Sequence, residues 1–413
     1  MSLPNRHSTV ASTAASPPRL GRRPEDGRQQ NRGEVLGLLR GRAMGRAELA
    51  RALGLSKTAL GALAGELLEQ GLLLEQGPVP ARRGRRPAPL SINARHAGVI
   101  GVNLSVTACE FGVYDLLGRP LHLETTPSGR GEGQAGVYRR ILLGVRRAVD
   151  HARRAGLNPA AIGVASSGPL DARAGVILDP PNFPELRRLP LAEWLARDVG
   201  LPVRLERNTS AAATAYQRQG GAANFIYLLL LDRGIGAGIV IGGQVYRGVH
   251  GYAGEFGHIS LEVDGPACPC GNRGCLERVA DVGAIEEAYR ERAGRAVPFG
   301  QIVERAQEGE APAQQTLGAA GRAIGLAAVS LVNLLDPQLL VLGGMGARAS
   351  PFLIPALRSE LVAHAYPYLR WGEELEILTC PLENPALLGA AEGALNAIYR
   401  GEIAVPPIAT ALA

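Results

Sequence analysis

Three of the five cysteines in this chain of 413 residues lie within eight positions, and this cluster restricts the local fold more than any other feature. Cys268, Cys270 and Cys275 form the cluster CPCGNRGC, and His258 precedes it by ten residues. Three thiolates and one imidazole suit a tetrahedral Zn²⁺ ion, and the intervening glycines allow the backbone to fold around it. A site with all four positions filled by protein is structural. A redox pair or inert thiols are the alternatives, and metal analysis distinguishes them.

The charge is divided unequally along the chain. Residues 1–95 hold 16 Lys and Arg against 7 Asp and Glu, whereas residues 96–413 hold 28 against 31. A basic segment attached to a nearly neutral remainder is typical of a nucleic-acid-binding region followed by a partner domain. A general preference for arginine is the alternative, since Lys57 is the only lysine. Such a preference does not account for the segregation.

Apolar periodicity predicts three short helices between Asn31 and Leu68, after a tail at residues 1–28 that is rich in Ser, Pro and Arg and is predicted to be disordered. The joint GLSKTAL at 54–60 combines a glycine suited to a left-handed turn with a serine suited to an N-cap. This pattern predicts a helix-turn-helix, whose second helix reaches base edges in the major groove. The predicted DNA-contacting residues here are Ser56, Lys57, Thr58 and Gly61, with Ala62 beside them. An ordinary helical hairpin is the alternative.

A wing is predicted after the third helix. Gly71 ends that helix, LLLEQ at 72–76 is a candidate strand, and ARRGRRPAP at 81–89 is a short basic turn bounded by proline. The arginines of this turn are expected to follow a narrow minor groove and its phosphates. They are Arg82, Arg83, Arg85 and Arg86. A solvated linker is the alternative interpretation.

From Ala97 the pattern changes to that of an α/β protein. Residues 98–121 contain two strands joined by a tight turn at 105–108 and lead into a third strand. A second strand pair is predicted at 224–231 and 237–246. A helix at 136–155 and strands at 161–166 and 202–205 lie between the pairs. Two strand-turn-strand units, each beginning half of this region, predict a duplicated architecture around a cleft.

Length and hydropathy limit the class of protein. At 413 residues the chain is long enough for two or three domains with sizeable cores. No apolar run reaches the roughly 18 residues needed to cross a bilayer, and the N-terminus lacks the apolar centre of a signal peptide. We therefore expect a cytoplasmic protein with no membrane partner.

Two neighbouring motifs identify a family. GYAGEFGHI at 251–259, followed by CPCGNRGCLE at 268–277, resembles the pattern of the ROK family (repressors, open reading frames, kinases), which includes bacterial glucokinases and sugar-responsive repressors. The helix-turn-helix and the RGRRP turn resemble the repressor branch. The resemblance implies an α/β fold with an N-terminal winged helix-turn-helix followed by two actin-like (ribonuclease H-like) α/β subdomains. The expected boundaries are 29–80 for the winged helix-turn-helix, 81–96 for the basic wing and linker, 97–210 with the C-terminal helix 386–400 for the first subdomain, and 211–385 for the second, which holds the zinc motif.

The resemblance also implies that the catalytic base of the family's kinases is missing. Their Glu-Asn-Asp segment carries an aspartate that removes a proton from the sugar hydroxyl, and Arg207, Asn208 and Thr209 occupy those positions here. A threonine hydroxyl is not appreciably basic near neutral pH, so a general-base contribution of about 10²- to 10⁴-fold is lost. A further family asparagine is replaced by Ala211. No catalytic residue is therefore expected.

Both phosphate-binding turns depart from the kinase pattern as well. The family's Asp-x-Gly-Gly-Thr turn is replaced by Asn103, Ser105, Val106 and Thr107, and its Gly-Thr-Gly-x-Gly turn by DRGIG at 232–236. Val106 places a branched side chain where backbone amides must approach phosphate closely. The protein is therefore not expected to be an enzyme.

Recognition of sugar is implied by four residues that match the family. They are Asn208, Glu255, His258 and Glu277, which by resemblance hydrogen-bond sugar hydroxyls. His258 would use one ring nitrogen for zinc and offer the other to the ligand, so that the ion orients the pocket. The alternative is that the two glutamates only brace the loops around the metal.

The sequence thus predicts a DNA-binding transcriptional regulator, in the simplest case a repressor, with a double-stranded DNA operator and a monosaccharide effector as partners. Ligand would close the cleft, move the winged helices of a homodimer or dimer of dimers, and change operator affinity. An ATP-dependent, glucokinase-like sugar kinase with an added DNA-binding domain is the alternative, using Asp179 or Asp232 as its carboxylate. A constitutive DNA-binding protein with a vestigial pocket is the third possibility.

Overall fold

The computed structural model describes residues 24–77, 88–366 and 375–405. Its helices are α1 (Pro24–Leu39), α2 (Arg46–Ala52), α3 (Lys57–Glu69), α4 (Gly133–Arg154), α5 (Leu191–Val199), α6 (Asn208–Arg218), α7 (Glu277–Ala280), α8 (Val282–Ala293), α9 (Phe299–Gln307), α10 (Ala311–Leu335), α11 (Met345–Arg348), α12 (Ser350–His364) and α13 (Pro385–Tyr399). Its strands are β1 (Leu73–Glu75), β2 (Leu90–Ile92), β3 (Gly98–Leu104), β4 (Ala108–Asp115), β5 (Pro120–Pro127), β6 (Pro159–Ser166), β7 (Leu170–Asp171), β8 (Val176–Ile177), β9 (Val203–Arg207), β10 (Phe225–Leu230), β11 (Ile235–Ile241), β12 (Gln244–Tyr246), β13 (Leu339–Gly344) and β14 (Glu376–Thr379).

The N-terminal region is a winged helix-turn-helix, as the sequence predicted. Helices α2 and α3 are joined by a turn in which Gly54 has φ 63°, and the Ser56 hydroxyl accepts a hydrogen bond from the Ala59 amide at 3.1 Å. Strands β1 and β2 pair antiparallel to form the wing. The four arginines predicted to lie in the basic turn, Arg82, Arg83, Arg85 and Arg86, are outside the described residues.

The first helix begins earlier than predicted. It starts at Pro24, inside the tail of residues 1–28 that was expected to be disordered, and residues 1–23 lie outside the described part of the chain. Proline at the first position and acidic residues in the first turn favour a helix start there, a signal that the apolar periodicity did not include. Arg28 of this early turn forms an ion pair with Glu66 of α3.

The α/β region consists of two sheets with the same strand order. The first sheet runs β5-β4-β3-β6-β9 and the second β12-β11-β10-β13-β14. Each begins with three antiparallel strands and continues with two strands parallel to the third. The predicted duplication is therefore confirmed. One predicted strand was wrong in extent: residues 237–246 form two strands, because Gly242 (φ 56°) and Gly243 (φ 75°) make a tight hairpin between β11 and β12.

Helices α6 and α13 lie where the two sheets meet. Helix α13 contacts β3 and β6 of the first sheet, whereas α6 contacts β10 and β11 of the second, and the two helices pack on each other. Helix α6 spans the subdomain boundary that was expected between residues 210 and 211. The cleft between the two units therefore opens beside the N-terminus of α6.

The winged helix-turn-helix shares one apolar cluster with the α/β region. Buried residues of α1 and α3, such as Leu36 and Leu67, belong to the same cluster as Val99 of β3 and Leu395 and Ile398 of α13. Burial of this kind stabilises the contact by roughly 25 cal/mol for each Å² removed from water. The DNA-binding region is thus packed onto the first unit through α13.

Helix α10 has the length and apolar composition of a membrane span, which the sequence analysis did not identify. Its 25 residues have a mean hydropathy of 1.5 over the most apolar window, and half of that window is buried in the fold. It packs against α8, α9 and α12 around buried residues such as Leu317 and Ile324. This environment is that of a core helix.

Candidate functional site

A polar cavity lies between the two α/β units, at the ends of β6, β9 and β10. Its volume is about 70 Å³, well below the roughly 300 Å³ at which small-molecule pockets usually begin. The four residues predicted to bind sugar all line it, namely Asn208, Glu255, His258 and Glu277, together with Arg207, Thr209, Asn182 and Arg233. We call this feature the polar cavity.

The strand-to-helix step from β9 into α6 forms one wall of the polar cavity. Asn208 donates from Nδ2 to the Ser167 hydroxyl at 2.9 Å, and its Oδ1 accepts from the Thr209 amide at 2.8 Å. Thr209 is 2% exposed, and its hydroxyl has no hydrogen-bond partner within the described residues. Buried hydroxyls normally have partners, so the unpaired Thr209 Oγ1 is a group that a ligand or a water molecule would satisfy.

Arg207 lines the polar cavity with a buried, charged side chain, which sequence reasoning did not foresee. Its side chain is 6% exposed, and its Nη2 lies 2.9 Å from Oε1 of Glu255. This contact is a charge pair without the alignment of a hydrogen bond, and Nε of Arg207 also has no partner among the described residues. Nη1 of Arg207 donates to the Ala253 carbonyl. The carboxylate of Glu255, which was expected to bind ligand, is therefore paired with an arginine.

The cysteine cluster adjoins the polar cavity. The ligand atoms of His258, Cys268, Cys270 and Cys275 all lie within 4.8 Å of one another. The Sγ atoms of Cys270 and Cys275 are 3.8 Å apart, as are Sγ of Cys268 and Nδ1 of His258. Two thiolates at about 2.3 Å from one tetrahedral zinc ion would be separated by about 3.8 Å. The four residues therefore fit a tetrahedral metal ion.

Without a bound metal, the thiols of this cluster are poorly suited to exist as charged thiolates. Burial raises the pKa of the Cys268 thiol and, to a smaller extent, that of Cys275. Sγ of Cys268 donates to Oε1 of Glu277 at 3.1 Å. A cation bound by these side chains would stabilise the thiolate form, which burial disfavours.

His258 is shared between the cysteine cluster and the polar cavity. Its Nδ1 is on the cysteine side, whereas its Nε2 lies 3.9 Å from Oε2 of Glu255. Glu277 starts α7, is 4% exposed and has its Oε1 3.8 Å from Nδ1 of His258. The imidazole can therefore bind a metal through one nitrogen while the other faces the cavity.

Beside the polar cavity, the two hairpin turns contact each other. The Thr107 hydroxyl, in the turn between β3 and β4, donates to the Asp232 carboxylate, in the turn between β10 and β11. We call this hydrogen bond the hairpin contact. It joins the first α/β unit to the second at the positions that resemble the phosphate-binding turns of the family's kinases.

One backbone amide in each turn already has an internal partner. The Ser105 amide donates to the Ala108 carbonyl at 2.9 Å, and the Gly234 amide donates to Oδ2 of Asp281 at 2.9 Å. Asp281 also caps α8 by accepting from the Ala284 amide at 2.7 Å. Burial raises the pKa of the Asp281 carboxyl, while these two amides lower it. Amides used in this way are not available to a phosphate.

Neither carboxylate considered as a substitute for the missing base lines the polar cavity. Asp179 forms an exposed ion pair with Arg187 at 2.7 Å, and Asp232 takes part in the hairpin contact. Both lie close in sequence to cavity residues, which is why sequence proximity suggested them. The structure directs each to another partner.

The predicted DNA-contacting residues of α3 share one exposed surface. Lys57, Thr58 and Gly61 are exposed at the start of the helix, and Ser56 is exposed beside them as the N-cap. The opposite side of the helix carries the buried residues Leu60, Leu63 and Leu67. The helix thus presents its first turn to solvent while its apolar side fixes it to the winged-helix core.

Comparison with known proteins gives three results of different kinds. The family model for the ROK family matches residues 99–396. A putative xylose repressor from Caldicellulosiruptor sp. (strain Rt8B.4) is 27% identical over 340 residues, covering 79% of this chain and 85% of that protein. The structure of a ROK family transcriptional regulator, a homologue of the E. coli MLC protein, superposes with a TM-score of 0.80 at 24% identity and covers 91% of this chain and 98% of that one.

A kinase of known structure matches only the α/β region. The ROK family glucokinase from Streptomyces griseus, solved with glucose and AMPPNP, has a TM-score of 0.64 at 28% identity. The match covers 98% of that chain but 72% of this one. The extra length here accommodates the winged helix-turn-helix.

Proposed function

Because the chain belongs to the ROK family, we propose that it is a DNA-binding transcriptional repressor whose operator affinity responds to a small ligand in the polar cavity. The observation that carries this proposal is a winged helix-turn-helix packed onto a kinase-like region whose nucleotide-binding turns are occupied by internal hydrogen bonds. The similarity to a putative xylose repressor along 79% of the chain supports it.

The first turn of α3 is the proposed base-reading surface. Ser56, Lys57, Thr58 and Gly61 are exposed there, in the position from which a recognition helix enters the major groove. The excess of positive charge in residues 1–95 attracts the phosphate backbone. The arginines Arg82, Arg83, Arg85 and Arg86 of the wing are proposed to follow the adjacent minor groove. We propose a homodimer as the binding unit, since two recognition helices then read a palindromic site, and DNA binding implies a cytoplasmic location.

The polar cavity is the proposed sensor, with a sugar or sugar-like molecule as effector. Asn208, Glu255, His258 and Glu277 supply hydrogen-bonding groups, and Thr209 adds an unpaired hydroxyl. Groups of this kind select for hydroxyl-bearing ligands, because a ligand that lacks one leaves a buried group unpaired. A cavity of about 70 Å³ does not admit a monosaccharide while Arg207 occupies it. Ligand entry therefore requires that Arg207 move or that the two units separate.

A structural Zn²⁺ ion is the proposed occupant of the cysteine cluster. His258, Cys268, Cys270 and Cys275 would hold it, and it would fix the loop that carries Glu255 and Glu277 against the polar cavity. The ion supplies rigidity in this proposal and no chemistry on the ligand.

We propose no kinase activity. Thr209 occupies the position of the catalytic aspartate, and the carboxylates that face the cavity, Glu255 and Glu277, contact Arg207 and Cys268. A nucleotide would need backbone amides in both turns, and that of Gly234 is donated to Asp281.

Fluorescence anisotropy with a labelled duplex from the region upstream of the gene tests the proposal, at one fixed salt concentration. We expect tight binding that a monosaccharide weakens, and a loss of about tenfold in affinity for Lys57→Ala. Arg197→Ala, which removes one exposed positive charge from the α/β region, is the matched control and should leave affinity unchanged. Binding no tighter than to random DNA would overturn the proposal, and binding indifferent to every sugar would overturn its sensing part.

A further inference from the structure

Helix α6 connects the polar cavity to the DNA-binding region and carries an arginine at each end. Arg207 immediately precedes it and pairs with Glu255 in the cavity, and Arg218 is its last residue. Eleven helical residues separate these ends by about 16 Å. The two arginines belong to one rigid element, so that a displacement at one end is felt at the other.

Close packing prevents α6 from absorbing such a displacement. Its residues Ala211, Ala212, Ala213 and Ala215 are fully buried. Gly389 of α13 lies so close that a Cβ atom there would be 1.8 Å from the Ala211 carbonyl oxygen. Helices in backbone contact at this distance move together or not at all.

At its C-terminal end, α6 meets a buried carboxylate that the DNA-binding region also uses. The side chain of Glu392, on α13, is 1% exposed. Its oxygens accept from Nη1 of Arg40 at 2.7 Å and from Nη2 of Arg40 at 2.9 Å, and Arg218 donates to the same carboxylate. Arg40 directly follows α1 of the winged helix-turn-helix. We call these three residues the junction triad.

The β4–β5 turn completes the junction triad. Both arginines donate to the Leu117 carbonyl, and the Arg40 guanidinium lies 4.9 Å from the centre of the Tyr399 ring. A buried carboxylate is stable only when its charge is compensated, so a shift of either arginine changes the position or the hydrogen bonding of the other. The three groups therefore form a mechanical and electrostatic connection between α6 and α1.

We propose that α6 transmits the state of the polar cavity to the winged helix-turn-helix through the Arg218–Glu392–Arg40 triad. This inference rests on the proposed function. A ligand that takes Glu255 releases Arg207, α6 shifts together with α13, and Arg218 and Glu392 displace Arg40. Arg40 and α1 then reorient the recognition helix relative to its partner in the dimer.

The apolar cluster around α13 is the competing route, because it also joins the two regions. A double-mutant cycle separates the two routes, since it measures whether the effects of two changes depend on each other. The cycle combines Arg207→Ala at the cavity end with Arg218→Met at the triad, and operator affinity is the readout. It requires no knowledge of the effector.

The DNA is a duplex selected from a random library by the wild-type protein, and affinities are measured by anisotropy at fixed salt. Arg207→Ala alone imitates ligand binding, and we expect it to lower operator affinity by about fivefold or more, the lower end of measured allosteric couplings. In the Arg218→Met background the same change should have an effect of less than about twofold. Arg218→Lys, which keeps the charge but not the forked geometry, is the second variant in case Arg218→Met does not fold.

Arg204→Met is the matched control for the triad. Arg204 pairs with Glu402 at 2.7 Å, so that this change also removes an arginine from an ion pair near α13, but from one outside the junction triad. Arg207→Ala should keep its full effect in this background. An equal effect of Arg207→Ala in all three backgrounds, or no effect in any, would overturn the inference. Failure of the wild-type protein to select any sequence would instead overturn the proposed function.

Discussion

The polar cavity and the hairpin contact lie side by side between the two α/β units, but their polar groups are used differently. At the polar cavity, Thr209 Oγ1 and Arg207 Nε are buried and have no hydrogen-bond partner in the described part of the chain. At the hairpin contact, Thr107 and Asp232 satisfy each other across the cleft, and the Gly234 amide is donated to Asp281. The polar cavity therefore retains unsatisfied groups that a ligand would pair. At the hairpin contact, the two side chains already pair with each other.

This difference has an energetic basis. An unpaired buried polar group costs about 1 to 3 kcal/mol, and a ligand that pairs it recovers that cost. A turn whose amides already have partners offers a phosphate no such gain. The comparison thus supports the proposal of a regulator that recognises a small molecule and does not transfer a phosphoryl group to it.

Removal of a metal ligand should have the largest effect on stability, because the metal site holds the loop beside the polar cavity. Cys275 is fully buried, and we expect Cys275→Ser to reduce bound zinc to background and to lower the melting temperature by about 10 °C or more. The measurements are elemental analysis of the purified protein and calorimetry. Cys380→Ala, a buried cysteine outside the cluster, is the control and should keep its zinc. Full stability without zinc would mean that the ion does not support the polar cavity.

Removal of the Arg207 side chain should make the polar cavity more accessible to a ligand and leave the hairpin contact unchanged. Arg207→Ala leaves Glu255 available to a ligand, so we expect the binding of an effector sugar to tighten by about tenfold, or 1.4 kcal/mol. Isothermal titration calorimetry with a monosaccharide panel measures this. Arg247→Ala removes an arginine from the exposed pair with Glu206 and should leave sugar binding unchanged. Weaker binding in Arg207→Ala would show that Arg207 contacts the ligand and does not compete with it.

The parts of this comparison differ in how far the sequence predicted them. The helix-turn-helix, the strand hairpins and the cysteine cluster depend on residues close together in the chain, where periodicity, turn residues and ligand spacing act directly. The missed early start of α1 and the Gly242–Gly243 hairpin were also local, and both had a signal in the sequence. These errors concern where an element begins or ends.

The contacts that decide the use of the cleft have no such signal. Thr107 and Asp232 are 125 residues apart, and Arg40 and Glu392 are 352 apart. In a chain with 44 Lys and Arg and 38 Asp and Glu, no local pattern selects which charges meet. The resemblance aligned Arg207 with a position of the family's motif, but its pairing with Glu255 follows only from the way that β9 and the loop after β12 approach each other.

Disruption of the hairpin contact should have a moderate effect. Asp232→Asn weakens a partly exposed hydrogen bond between the units, so we expect a loss of about 1 kcal/mol and a fall of about 3 °C in melting temperature. Thr107→Val should have a similar effect, and the double variant should be no worse than either, because both remove one interaction. Asp179→Asn, whose partner Arg187 lies in the same unit, is the control for loss of an exposed carboxylate. Additive losses in the double variant would mean that the two residues act separately.

Restoration of the kinase carboxylate should have the smallest effect on activity, because the hairpin turns would still not bind phosphate. Thr209→Asp supplies a base worth about 10²- to 10⁴-fold, but Val106 and the Gly234–Asp281 bond still exclude phosphate from the turns. We therefore expect ADP release with ATP and each monosaccharide to stay at background. Thr209→Asn, of the same shape without a base, is the matched control, and the melting temperature of both variants verifies folding. ADP release in Thr209→Asp that exceeds this control by about 10²-fold would mean that the hairpin contact opens to admit nucleotide. The contrast between the polar cavity and the hairpin contact would then rest on the side chain of residue 209 alone.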